Sequence, residues 1–255
     1  MADKSCINCS SLVTGNYCSN CGQKTEVLPI TWKGLITELS SRWLGADNRI
    51  IRTFIGLWHN PKKVITDYLE GNRVKYIGPL SYLVVMSFLY VLSFEVFGFN
   101  PTEMMDEASR VFQDPDQELS EKQRQFLNDY TQMFSKNMRL LVGAIIPFTA
   151  LSMSIFYRRR NYLQNFLIVS YALSQLLWIS IITVALAATT GYLFFVEGLV
   201  INMIYNVIVV GLMNPQKSLA WTYTKALIVW CVGYAFFTIT ISLSTFIYMF
   251  VSFSK

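Results

Sequence analysis

At 255 residues, 53% hydrophobic and only 15% charged, with a mean hydropathy of +0.38, the chain carries far fewer charges than the roughly 25% usual in soluble domains. That balance excludes an ordinary soluble globule and a disordered chain, and it points to a polytopic membrane protein with room for a small polar head. A net charge of +5 spread over the sequence excludes no partner but does not describe a nucleic-acid-binding surface, so no nucleic acid is expected; attraction to membrane lipid accounts for it as well.

Residues 1–27 form the predicted head. From Cys6 to Gln23 the sequence reads Cys-Ile-Asn-Cys-Ser-Ser-Leu-Val-Thr-Gly-Asn-Tyr-Cys-Ser-Asn-Cys-Gly-Gln. Two Cys-x-x-Cys pairs, each able to bring two thiolates to one ion from a tight turn, make Cys6, Cys9, Cys18 and Cys21 the expected ligands of a structural Zn2+ ion in a zinc-ribbon-like fold. Gly15 and Gly22 are expected to relieve the turns. So few apolar side chains cannot build a core, and metal binding would supply most of the folding free energy, about 10 kcal/mol or more. A redox dithiol pair and an iron site are the alternatives. Four thiolates leave no open coordination position for catalysis.

Residues 28–78 carry amphipathic helical patterns. Trp32, Leu35, Ile36, Leu39 and Trp43 recur at helical spacing. Asp47 is placed to cap a second helix with Ile50, Ile51, Phe54, Ile55, Leu57 and Trp58 beside Arg49 and Arg52. Asn60-Pro61 breaks it, and a third short helix ends at Gly71. Aromatic and basic residues together suit helices lying on the membrane surface; packing on the membrane spans is the other reading. His59 is expected to be a solvated residue at a helix end.

The membrane domain is expected over residues 79–255. Pro79 to Phe99 contains one charge, Glu95, and has the roughly 20 residues a bilayer core of about 30 Å requires. Nothing resembling a signal peptide precedes it, so insertion is expected to be directed by an internal span. Residues 100–139 form an acidic, extracytoplasmic loop with a helical pattern from Leu119 to Met138. A second span is predicted from Leu140 to Tyr157, kinked at Pro147 with the Gly143 carbonyl left free and stopped by Arg158-Arg159-Arg160. A third follows from Tyr162 to Thr190, a fourth from Tyr192 to Met213 and a fifth from about Lys225 to Phe250. The fold class is therefore an all-α membrane protein of about five spans. Most of the 21 Lys and Arg residues fall on one side of this arrangement, which sets the N-terminus in the cytosol and the C-terminus outside. The cysteines then face a reducing compartment, which favours metal over disulfide, and a bacterial cytoplasmic (inner) membrane is the expected location.

Two acids, Glu95 and Glu197, sit in apolar surroundings near the outer ends of their spans. An intramembrane acid suggests a proton or cation site; snorkelling to the interface is the plainer reading. Gln175, Asn202 and Asn206 lie deeper and are expected to join helices, with Glu95, Glu197, Asn202 and Asn206 as the possible intramembrane polar site. Cys231 reads as a small buried hydrophobe. No nucleophile elbow, phosphate-binding loop or dinucleotide fingerprint occurs in the sequence, so no catalytic residues and no enzymatic activity are expected. A membrane scaffold or assembly protein, whose head binds a protein partner or a second copy, is the first functional expectation; a small-solute or ion permease through the bundle is the alternative.

The four-cysteine motif ending in Cys21-Gly22-Gln23, Arg52-Thr53 followed by Asn60-Pro61, and Asp67-Tyr68-Leu69-Glu70-Gly71-Asn72-Arg73 with Tyr76 and Pro79 resemble a bacterial membrane family catalogued as domain of unknown function 3667. The resemblance covers residues 6–90 and extends loosely to Tyr205 and beyond. Such proteins often carry a Tyr-x-x-His pattern after the basic stop; here Tyr162-Leu163-Gln164-Asn165 stands in its place. The span count also resembles five-span trafficking proteins of the Yip1 kind.

Overall fold

The computed structural model describes residues 4–26, 29–41, 48–98, 143–192 and 194–253, together with Glu121, Gln125, Asp129 and Gln132. The expectations for Trp43, the Asp47 cap, nearly all of the 100–139 loop with its helical pattern, and residues 140–142 of the second span lie outside these residues.

The head is a pair of matching knuckles. Strand β1 (Lys4–Ser5) pairs antiparallel with β2 (Leu12–Val13), Ser5 opposite Leu12. Twelve residues on, Tyr17 bridges Lys24 in the same way. Inside each pair the first cysteine repeats one hydrogen-bond pattern: Cys6 N–H donates to Ser11 O and receives Ser10 N–H, while Cys18 N–H donates to Gln23 O and receives Gly22 N–H. Closing this turn demands a left-handed residue four places after the cysteine. Gly22 (φ 72°) supplies it in one knuckle and Ser10 (φ 59°) in the other. Gly15, expected from sequence to serve a turn, has no positive φ; the residue that does is a serine, which composition does not flag.

Among the described residues, four helices are long and apolar enough to cross a membrane, and a shorter apolar helix accompanies them. Three helices precede the spans: α1 (Trp32–Ser41), α2 (Asn48–His59) and α3 (Pro61–Leu69). Asn60 caps α3 by accepting the Lys63 N–H at 3.0 Å, and Pro61 occupies the first turn, where its missing donor costs nothing. The spans are α4 (Pro79–Phe97), α6 (Tyr162–Thr190), α7 (Phe195–Met213) and α8 (Leu219–Phe253), with α5 (Ile146–Phe156) before α6. Gly98 in left-handed geometry ends α4, Gly191 ends α6, and Asn161 with Gln164 forms a capping box at the start of α6.

The second expected span needs correction. Pro147 lies in the first turn of α5 rather than kinking a longer helix, and the Gly143 carbonyl is not free: it accepts the Ile146 N–H at 2.9 Å from a left-handed glycine (φ 87°). A proline ring is tolerated at a helix start, so the chain begins a helix there. The 11 residues of α5 reach only about 16 Å, short of one crossing.

The 29-residue α6 is the centre of the bundle, with over half of its most apolar window buried. It packs on α4, α5 and α7, and α8 packs on α5 and α7. Between α5 and α8 the Ser152 hydroxyl donates to Val229 O at 2.8 Å, and Gly233 lies against Thr149. Val229, Ala226 and Gly233 thus define the packed face of α8. Cys231, read from sequence as buried, is exposed: two residues from Val229 and from Gly233, it falls on the far side of the helix.

Candidate functional site

The four head thiols come together. Their Sγ atoms all lie within 4.8 Å of one another, with Cys6 and Cys21 at 3.6 Å and Cys9 and Cys18 at 3.5 Å. A disulfide would require about 2.05 Å. A tetrahedral ion bound at about 2.3 Å to each sulfur spaces the sulfurs by about 3.8 Å. The arrangement can therefore hold a metal ion, each knuckle contributing two ligands. Cys6 and Cys18 are buried and Cys9 and Cys21 half-buried, so the ion would be largely enclosed.

The electrostatics of the cluster suit a cation. The Ser11 hydroxyl, 3.3 Å from Cys9 Sγ, and the Ser11 amide hold the Cys9 thiol down at about 6. At Cys6, burial opposes ionisation, but the amides of Cys9 and Asn8 outweigh it and the thiol lies below its ordinary value. Cys21 goes the other way: Asn8 and the Gln23 amide favour its thiolate, yet burial and the neighbouring Cys9 and Cys6 push it up to about 11. Thiolates this close repel one another, and a bound divalent cation removes that penalty. Ser11 and Asn8, whose N–H lies 3.5 Å from Cys6 Sγ, complete the surroundings; the sequence held no signal for them beyond their place between the cysteines.

Gln23 ties the head to the helices. Its side chain is buried, and Nε2 donates to Gly71 O at 3.0 Å, at the left-handed turn (φ 103°) that ends the α3 region. The last residue of the cysteine motif thus joins the head to the turn after α3, ahead of the spans.

Deeper groups connect the bundle to α2. Gln175 accepts the Tyr82 hydroxyl and donates to Phe54 O at 3.2 Å, joining α4, α6 and α2. The Tyr205 hydroxyl donates to Leu57 O at 2.8 Å, and Tyr171 donates to Ile77 O at 2.6 Å. Thr53 and Leu57 are fully buried, so α2 packs on the spans by one face. Asn206 is buried but donates to Asn202 O and Oδ1, each at 3.0 Å, on its own helix α7. This pair satisfies itself locally.

Glu95 is exposed near the end of α4, and Glu197, exposed in the first turn of α7, accepts the Tyr192 hydroxyl at 3.1 Å. Neither carboxylate enters the interior, and no shared buried acid site is formed among the described residues. His59 is exposed at the end of α2.

A family model described as Protein of unknown function (DUF3667) matches residues 47–91, the stretch running from the start of α2 into α4. The resemblance drawn from the sequence is thereby confirmed over these residues, the same ones whose carbonyls receive Gln175, Tyr205 and Tyr171. No curated protein and no solved structure matches the chain.

Proposed function

We propose that this DUF3667-type integral membrane protein is a non-enzymatic scaffold or assembly factor whose head, folded around one zinc ion, docks a protein partner at the cytosolic face of a bacterial inner membrane. The observation that carries the reading is the closed four-thiol cluster, which leaves no coordination position for a substrate, on a head that turns Ile7, Leu12 and Tyr17 outward at 50%, 67% and 58% exposure. Apolar side chains on so small a module suit a protein contact. The basic bias of the segments around the spans supports a cytosolic head, and a reducing cytosol keeps the thiols available to metal. The outward-facing Glu95 and Glu197 lend the permease reading no support.

Metal analysis of the purified protein is expected to find one zinc per chain, and affinity capture is expected to recover a partner. A head-surface variant carrying Ile7→Ser, Leu12→Ser and Tyr17→Ser should keep its zinc and lose that partner. Full partner recovery with this variant would reject the docking role; absence of zinc from the wild type would reject the metal.

A further inference from the structure

The helix α2 is too short to cross a bilayer, yet one side of it is largely exposed, touching the bundle there through the edge of Trp58 on the Tyr205 ring of α7. With about 100° between successive residues, its exposed residues fall into two adjoining sectors. Trp58, Ile51 and Ile55, at 41%, 61% and 49% exposure, occupy one; Asn48, His59 and Arg52 occupy the next. Buried Thr53 and Leu57 hold the opposite side against the bundle. A helix apolar outward on one flank and polar on the other fits the boundary between acyl chains and headgroups.

Arg52 sits where that boundary runs. Its guanidinium is exposed and has no hydrogen-bond or ion-pair partner among the described residues. Together with Asn48, Ile51, Ile55, Gly56 and Tyr76 it lines one shallow groove. Gly56 keeps the groove floor low because the helix there is pressed on Val64: a Cβ would come within 2.7 Å of the Val64 side chain. The other cation beside Tyr76, Lys75, is engaged by Asp67 at 3.6 Å and by the Tyr76 ring. Among the described residues Arg52 is therefore the groove cation without an anionic partner, with two isoleucines next to it for an alkyl chain.

We propose that this groove binds an anionic phospholipid of the adjoining leaflet, with the lipid phosphate on Arg52 and an acyl chain along Ile51 and Ile55. The guanidinium fork matches phosphate oxygens, and the lipid supplies both chemistries at the depth the helix occupies. The inference stands independently of the metal in the head.

The test places the photo-crosslinker p-benzoylphenylalanine at position 55 of the full-length protein in nanodiscs of equimolar phosphatidylglycerol and phosphatidylcholine. Mass spectrometry of the adducts is expected to show lipid, with phosphatidylglycerol favoured about fivefold, the effect of one interfacial charge of about 1 kcal/mol. Arg52→Gln should bring the ratio near one while lipid adducts persist, and Arg52→Lys should keep most of the preference. Adducts to protein, a lack of lipid adducts, or equal capture of both lipids by the wild type would overturn the proposal.

Discussion

Replacing Gly233 by alanine tests the packing of the bundle at its tightest crossing. A Cβ built there would lie 2.7 Å from Thr149 Cα, 3.0 Å from its Oγ1 and 3.2 Å from its Cβ. Carbon atoms sit comfortably at about 3.5–4.0 Å, so α5 and α8 must part by about 1 Å, and the nearest obstacle is backbone, which cannot rotate away. Overpacking of this kind costs about 1–3 kcal/mol. The same retreat would stretch the Ser152–Val229 hydrogen bond past its useful length, a further loss of about 0.6 kcal/mol on the membrane-protein average. Gly198 in α7 is the control, because a Cβ there meets only Thr183 Cγ2 at 4.0 Å. Both substitutions gain the same helix propensity, up to about 1 kcal/mol, so their difference isolates the clash with its lost hydrogen bond, about 1.6–3.6 kcal/mol. Gly211, where a Cβ would press the Tyr223 ring at 2.8 Å, should fall between them, since that ring can turn aside. Reversible unfolding by sodium dodecyl sulfate in mixed micelles measures all three. If Gly233→Ala proves as stable as Gly198→Ala, the described contact between α5 and α8 is wrong.

In the head, Gly22→Ala should weaken zinc binding about fivefold and Ser10→Gly should strengthen it by a similar factor, since a left-handed non-glycine residue costs about 1 kcal/mol; competition with a chromophoric chelator reads both. A Cβ at Gly22 meets nothing within 4 Å, so any effect there comes from the backbone alone. Zinc affinity should rise with pH above 7, because Cys21, pushed up to about 11, must surrender a proton to bind. The dependence should steepen as pH falls through about 6, where Cys9 takes up a proton as well; calorimetry in buffers of different ionisation enthalpy counts the protons, and a pH-independent affinity would contradict it. Tyr205→Phe, which deletes the donor to Leu57 O, should cost about 0.6–1.7 kcal/mol in the same unfolding assay, and Gln175→Leu, which removes two partners, should cost more.

The sequence alone sufficed for the features that depend on counting along the chain. Apolar run length placed α4, α6 and α7 within a few residues of their ends, because burial in lipid asks only for enough consecutive apolar side chains, whereas α8 begins six residues before the expected Lys225, at Leu219. The cysteine spacing likewise sufficed to bring four sulfurs together, since the tight turn inside each Cys-x-x-Cys pair aims two thiols at one point and two such pairs can share an ion. What sequence could not supply was rotation. The spans are apolar around their whole circumference, so nothing in their composition says which face meets a neighbour; Cys231 could be turned outward, and Glu95 and Glu197 kept out of the interior, only by the packing of α8 on α5 and of α4 and α7 on α6. The same holds for Pro147, which opens α5 instead of bending a longer helix, and for Ser10, whose left-handed turn repeats that of Gly22. For α2 the two sources meet. Its mixed apolar and basic character was written in the residues, but the division between the side on the bundle and the exposed side was settled by Gln175 and Tyr205, which reach its carbonyls across more than a hundred positions of chain.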